Sequence, residues 1–235
     1  MQNYNHEKKV AIIPARGGSK RIPQKNIQLF LGKPIIAYSI ETAVNSKLFD
    51  EVMVSTDDVE IAEIARQYGA NVPFLRSPET SNDHAPTADA LMEVLNAYKK
   101  LDRNFNYACC IYPTAVFVTA KKLHEAFNLL VEKKFLSTFP VMPFSYPIWR
   151  SLKMENGKIS MNYPEYQNSR SQDLPLAYHD AGQFYFFKTD VLFTEKTLFT
   201  SNSGAIIIDE MEGQDIDNLT DWKLAEIKYK MLFHK

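Results

Sequence analysis

From Val10 to Lys134, short apolar runs alternate with segments of helical period, and few folds accommodate that rhythm. Residues 10–14, Val-Ala-Ile-Ile-Pro, suit a strand buried on both faces. Pro34 suits the first residue of a helix whose apolar face carries Ile36, Ile40 and Ala43. Residues 51–55 read as strand again. Asp57 or Asp58 can cap the next helix, where Ile61, Ile64, Ala65 and Tyr68 recur at i, i+3, i+4, i+7 before Gly69 ends it. The spacing then predicts a short strand at 72–75, a helix at 88–101, a strand at 107–111 and a helix at 119–133. Strands alternating with helices of this size imply an α/β fold, its parallel sheet covered by helices on both faces.

After Lys134 the rhythm breaks. Residues 139–149 hold three prolines and no helical period, and Asn156-Gly157 between strand-like flanks marks a tight hairpin. A β-rich insertion arm is therefore expected at about 140–175. A strand pattern returns at 182–188, another short buried strand is expected at 205–208, and Leu224, Ile227 and Met231 mark a C-terminal helix. The 235 residues read as a single domain, 1–235, carrying that arm, since α/β chains of about 200–250 residues often fold as one. The two cysteines, Cys109 and Cys110, sit in an apolar run and read as small buried hydrophobes in a reducing compartment. Residues 1–9 are polar and unlike a secretory leader, and no apolar run approaches the ~18 residues of a membrane span. A cytoplasmic location is expected.

Four cations, Arg16, Lys20, Arg21 and Lys25, crowd the loop that follows the first strand, with Gly17-Gly18-Ser19 among them. They do not reflect a basic chain: 27 Lys+Arg against 28 Asp+Glu leave a net charge of −1. That balance argues against a dedicated partner in nucleic acid or an anionic membrane. In a parallel sheet, ligands sit beyond the carboxyl ends of the strands, and this loop leaves such an end. Glycine lets the backbone approach a phosphate, and Arg16, Lys20 and Lys25 can neutralise a polyphosphate. A solvated basic loop is the plainer alternative. Neither a Walker loop nor Gly-x-Gly-x-x-Gly is present, because Gly32-Lys33 is followed by Pro34.

The string Ile13-Pro-Ala-Arg-Gly-Gly-Ser-Lys-Arg-Ile-Pro-Gln-Lys-Asn26 resembles the signature Ile-Pro-Ala-Arg-x-x-Ser-Lys-x-x-Pro-x-Lys-Asn. That signature belongs to the acidic-sugar (nonulosonate) cytidylyltransferases, which make CMP-activated sialic acids and related nonulosonic acids. Val54-Ser-Thr-Asp-Asp58, Phe74-Leu-Arg76, Asp83-His-Ala-Pro-Thr87 and Asp215-Ile-Asp217 with Asp221 continue the resemblance. It implies a Rossmann-like nucleotide-diphospho-sugar transferase fold and CTP as one substrate. It implies nucleotide binding by Ala15, Arg16, Gly17, Asn26, Arg76, Ala85 and Thr87. Arg16 and Lys20 would stabilise a departing pyrophosphate and Lys25 the α-phosphate. Related enzymes are dimers in which the arm reaches the neighbouring site, so a homodimer is implied as well.

In Gln214-Asp-Ile-Asp-Asn218 the carboxylates lie at i and i+2, which in an extended segment puts both on one side and Ile216 toward the core. Carboxylate oxygens suit Mg²⁺. Taken alone, Asp217 or Asn218 capping the next helix explains the pair as well. The resemblance makes Asp215 and Asp217 metal ligands. Asp57 and Asp58 are a competing pair, with capping expected of at least one.

At 111–115, Ile-Tyr-Pro-Thr-Ala carries Tyr112 where sialate enzymes have Gln. There, at 169–175 and at 178–185, the chain resembles the members that activate pseudaminic acid. Arg170 can grip a sugar carboxylate bidentately, and Tyr112, Tyr178, His179 and Gln183 can serve hydroxyl and acetamido groups. Gln172, in the first of those stretches, joins this substrate-binding set. Phe184, Tyr185, Phe186 and Phe187 suit a buried strand. The expected reaction is attack by the anomeric oxygen of a nine-carbon sugar acid on the α-phosphorus of CTP, with loss of pyrophosphate. Legionaminic, N-acetylneuraminic or keto-deoxy-octonic acid as substrate, or a non-catalytic nucleotide-binding regulator, are the alternatives.

Overall fold

The computed structural model describes residues 7–233; residues 1–6, most of the polar opening segment, lie outside it. In chain order the strands are β1 (Lys9–Pro14), β2 (Leu29–Phe30), β3 (Lys33–Pro34), β4 (Glu51–Ser55), β5 (Tyr107–Ile111), β6 (Ser137–Pro143), β7 (Leu152–Glu155), β8 (Lys158–Met161), β9 (Tyr178–Asp180), β10 (Phe184–Lys188) and β11 (Ser203–Ile207). The helices are α1 (Ile35–Ser46), α2 (Val59–Gln67), α3 (Pro78–Ser81), α4 (Thr87–Lys100), α5 (Ala120–Glu132), α6 (Thr189–Glu195) and α7 (Leu219–Phe233).

Seven strands build the central sheet in the order β11-β6-β10-β5-β1-β4, with β9 added to β6. β1 runs parallel to β4 and β5, and β11 parallel to β6, whereas β10 runs antiparallel to both neighbours. The sheet is therefore mostly parallel with a reversed strand near its middle. In β1, Ala11 and Ile13 join one core, with Ile36, Ile40, Ile61, Ala65, Leu123 and Leu130 from α1, α2 and α5. Val10 and Ile12 join the other, with Leu91, Val94 and Tyr98 of α4 and Leu192 of α6. This two-sided burial explains why β1 is an unbroken apolar run. Cys109 and Cys110 fall on opposite faces of β5, both buried, and burial raises both thiol pKa values.

Local chemistry sets several boundaries differently from the sequence reading. No strand forms at 72–75: Asn71 makes one bridge to Met53, and Pro73 then has no N–H to continue a ladder. Pro34 is the residue before α1 rather than its first residue. β11 alternates exposed and buried positions instead of lying buried throughout. α7 forms, but Leu224, Ile227 and Met231 are exposed, and the helix docks through Trp222, Ala225 and Tyr229 against Phe30 and Phe117. Asn156 and Gly157, both at positive φ, close the β7–β8 hairpin as their sequence requires.

Candidate active site

The cationic loop leaves the carboxyl end of β1 and is pinned at several points. Ile22 is buried against Phe30 and Trp222. The Asn26 side chain donates to the Arg16 carbonyl at 3.0 Å, and the Gly17 N–H donates to Asp57 Oδ1 at 2.9 Å. Asp58 caps α2, accepting from the Glu60 and Ile61 N–H groups. A Cβ on Gly17 would stand 2.7 Å from Asp58 Oδ2, so a larger residue here would have to displace the loop or the Asp58 side chain. Asp57 occupies the Gly17 N–H and the Ser19 N–H turns back onto the Gly17 carbonyl, whereas the Gly18 N–H has no partner among the described residues. Arg16 and Lys20 both pair with Asp83, Arg16 at 2.5 Å. A cavity of about 370 Å³ opens among Arg16, Lys20, Arg21, Lys25, Asn26 and Asp83.

Lys25 crosses from this loop to the carboxylate pair. Its ammonium donates to the Ile216 carbonyl at 2.9 Å and lies 3.8 Å from Asp217 Oδ1, while Arg21 reaches Asp217 Oδ2 at 2.7 Å. Burial lowers the Lys25 pKa, opposed by Asp217 and then Asp215. Burial raises the Asp215 pKa, and the Asp217 charge adds to it. Ile216 points into the core as the i, i+2 spacing requires. Asn218 and Asp221 form a reciprocal cap on α7: Asn218 accepts from the Asp221 N–H, and Asp221 accepts from those of Asn218 and Asp217. Capping thus falls to Asn218, which leaves the Asp217 carboxylate facing the loop cations. Lys20 differs from Lys25, since its partner is Asp83 rather than Asp215 or Asp217.

Two further cavities adjoin. One, of about 200 Å³, shares Pro14, Arg16 and Asp83 with the phosphate side and is lined by Arg76, Ala85, Thr87 and Tyr112. Arg76 is buried there, donating to Ser55 Oγ and to the Ser55 carbonyl rather than to Glu79. Thr87 is the first residue of α4, not its cap, and it lines this cavity together with Tyr112. Ala15 is buried below the loop, its N–H on the Ser55 carbonyl. The other cavity, of about 530 Å³, shares Tyr112 and adds His179, Asp180, Tyr185, Glu210, Asp215 and Lys228. Tyr185 sits 5.6 Å from Tyr112 ring to ring and donates its hydroxyl to Asp180.

The sugar-side residues expected from sequence divide. Tyr112 and His179 line the large cavity, His179 packed on Phe144 with Nδ1 on the Asp180 carbonyl. Gln183 is buried in the wall behind it, its amide N–H on the Glu212 carbonyl and its Oε1 without a partner among the described residues. Tyr178 is exposed on β9. Arg170 and Gln172 are exposed on the arm, outside the cavity, and Arg170 forks onto Asp173. Asp83, Tyr185 and Lys228 enter the site without having been singled out. Asp83 stood inside a quoted motif, and Tyr185 read as core because strand periodicity does not separate a cavity wall from a core. Lys228 gave no signal in a helix of mixed pattern.

The solved structure of a CMP:2-keto-3-deoxy-manno-octonic acid synthetase complexed with CTP superimposes with a TM-score of 0.71 at 18% identity, over 95% of this chain and 98% of that one. That likeness shows that the two chains share a fold. The family model described as cytidylyltransferase matches residues 10–229, and the chain belongs to that family. It is 41% identical over 225 residues to the pseudaminic acid cytidylyltransferase of Campylobacter jejuni subsp. jejuni serotype O:23/36 (strain 81-176), covering 95% of this chain and 97% of that protein. It is 30% identical to the CMP-N,N'-diacetyllegionaminic acid synthase of Legionella pneumophila, over 92% of this chain and 94% of that protein. No helix among the described residues is long and apolar enough to cross a membrane.

Proposed function

We propose that this cytidylyltransferase transfers CMP from CTP to pseudaminic acid, a nine-carbon acidic sugar, giving CMP-pseudaminic acid and pyrophosphate. The observation that carries the reading is the junction made by Lys25. It ties the cationic loop to the Asp215–Asp217 segment at 2.9 Å: Lys25 lines the cavity of the loop, and Asp215 lines the large cavity beside Tyr112 and His179. Identity of 41% to a full-length pseudaminic acid cytidylyltransferase selects the sugar.

CTP lies with its triphosphate on Arg16, Lys20 and Lys25 and its nucleoside toward Arg76, Ala85 and Thr87. The sugar enters beside Tyr112 and His179, which orient it for in-line attack by the anomeric oxygen on the α-phosphorus. Charge grows on the α-phosphoryl and leaving oxygens, so fixed cations contribute most of the acceleration. Lys25, positioned by the Ile216 carbonyl, neutralises the α-phosphoryl group, while Arg16 and Lys20 leave Asp83 to hold the pyrophosphate.

Asp215 and Asp217 fit Mg²⁺. Two neighbouring carboxylates, one with its pKa raised by burial, suit a hard divalent cation. No cluster of three or more His, Cys, Asp or Glu occurs among the described residues, so phosphate and water would have to complete the coordination of such an ion. When bound, such an ion would polarise the phosphoryl oxygens.

The exposed arm, with Leu152, Met154, Ile159 and Tyr146 facing solvent, supports a homodimer. A cytoplasmic location, where CTP is available and the buried thiols stay reduced, completes the proposal. The test is ³¹P NMR of the protein with CTP, pseudaminic acid and Mg²⁺. The proposal expects a new phosphodiester resonance and equimolar pyrophosphate, both suppressed by a chelator. Intact CTP after prolonged incubation would contradict it.

A further inference from the structure

A sugar acid brings a carboxylate, and three carboxylates, Asp180, Glu210 and Asp215, already line the large cavity. An anionic ligand needs a cation there. Arg170, the sequence candidate, lies on the arm outside this cavity and pairs with Asp173, with Nε at 2.7 Å from Oδ2, so within one chain it does not supply that cation. Among the described lysines and arginines, Lys228 is the one that lines this cavity, together with Tyr112, His179 and Asp215.

Its ammonium is held but not neutralised. Nζ donates to the Glu210 carbonyl at 3.0 Å and to the Gly213 carbonyl at 2.9 Å, and it makes no ion pair among the described residues. An ammonium has three donors, so two fix its place and one remains. Those two carbonyls belong to the segment leading into Gln214 and Asp215, which ties the charge to the cavity wall. Asp180 does not compete for it, being engaged by the Tyr185 hydroxyl and the Gly182 N–H.

We propose that Lys228 binds the carboxylate of the sugar acid through this remaining donor, making it a substrate-selecting residue of the large cavity. The inference rests on the reading that the substrate is a nonulosonic acid. A purely structural role, fastening α7 to the 210–213 turn, is the competing account.

Steady-state kinetics on the full chain separate the two, using wild type, Lys228→Met and Lys228→Arg with CTP and either pseudaminic acid or its C1 carboxamide. Lys228→Met should raise the KM for the acid about ten-fold and leave the KM for CTP within about two-fold, while Lys228→Arg keeps most of the affinity. Wild type should prefer the acid over the carboxamide by about ten-fold, and Lys228→Met should discriminate by less than about two-fold. If Lys228→Met retains the full preference for the acid, whatever its KM or thermal stability, the proposal is overturned and the lysine is structural. Failure of wild type to use CTP with any of these sugars overturns the substrate reading, and this inference with it.

Discussion

Lys25 binds the Ile216 carbonyl, and in the proposed mechanism the same ammonium also neutralises the phosphoryl group, two duties that a smaller side chain cannot share. Lys25→Ala should lower kcat by about 10²–10³-fold and change the KM for sugar only a few-fold. A loss confined to KM would mean that the lysine binds only the ground state. Asp83 gives a second test. Hydrogen bonds from Lys20 and Arg16 hold its carboxyl below the ordinary range. A depressed acid contributes stability above its unfolded pKa, near ~3.9, and loses it as pH falls through the folded value. If, as proposed, CTP takes both cations away, Asp83 should titrate higher in the complex, as ¹³C-carboxyl NMR would record; an unchanged midpoint would leave its pairs intact. That Arg16, Lys25 and Asn26 line one cavity was legible because they lie in one contiguous string. Asp83 and Lys228 were not, since each acquires its meaning from partners far off in sequence: Asp83 from Arg16 and Lys20, Lys228 from the 210–213 turn.

At the scale of elements, the first turn of α2 fits the phosphate loop closely. Asp58 caps the helix with bonds of 2.8 and 3.1 Å and packs where a Cβ on Gly17 would lie. Asp58→Ala should cost about 1 kcal/mol in thermal or denaturant unfolding. Gly17→Ala should displace the loop and raise the KM for CTP about ten-fold, a defect that Asp58→Gly relieves in part. An unaltered KM in Gly17→Ala would show that the loop tolerates the shift. Alternating apolar runs made most strands and helices readable, because both faces of the sheet are covered. The expected strand at 72–75 failed at Pro73, a single residue whose missing donor outweighs its apolar neighbours. The capping question before α7 was open in the sequence, and the reciprocal Asn218–Asp221 bonds close it.

For the whole molecule, the β7–β8 hairpin is the part that one chain leaves least covered. Its register puts Leu152 opposite Met161 and Met154 opposite Ile159, so these four share one face. Leu152, Met154 and Ile159 are exposed. A two-stranded ribbon with an apolar face is marginal alone and gains from a partner surface. Light scattering should give a mass twice that of the chain, and replacing Leu152, Met154 and Ile159 by Ser should halve it; a monomeric wild type would refute the proposed dimer. The hairpin was visible in sequence as Asn156-Gly157 within a break in rhythm, but a surface to cover it was not, because the pattern of one chain does not show a partner. The proposed choice of sugar is tested most directly by competition for limiting CTP among equimolar pseudaminic, legionaminic and N-acetylneuraminic acids. Pseudaminic acid should be converted with a kcat/KM at least about ten-fold above either rival. Equal conversion, or preference for another acid, would contradict it.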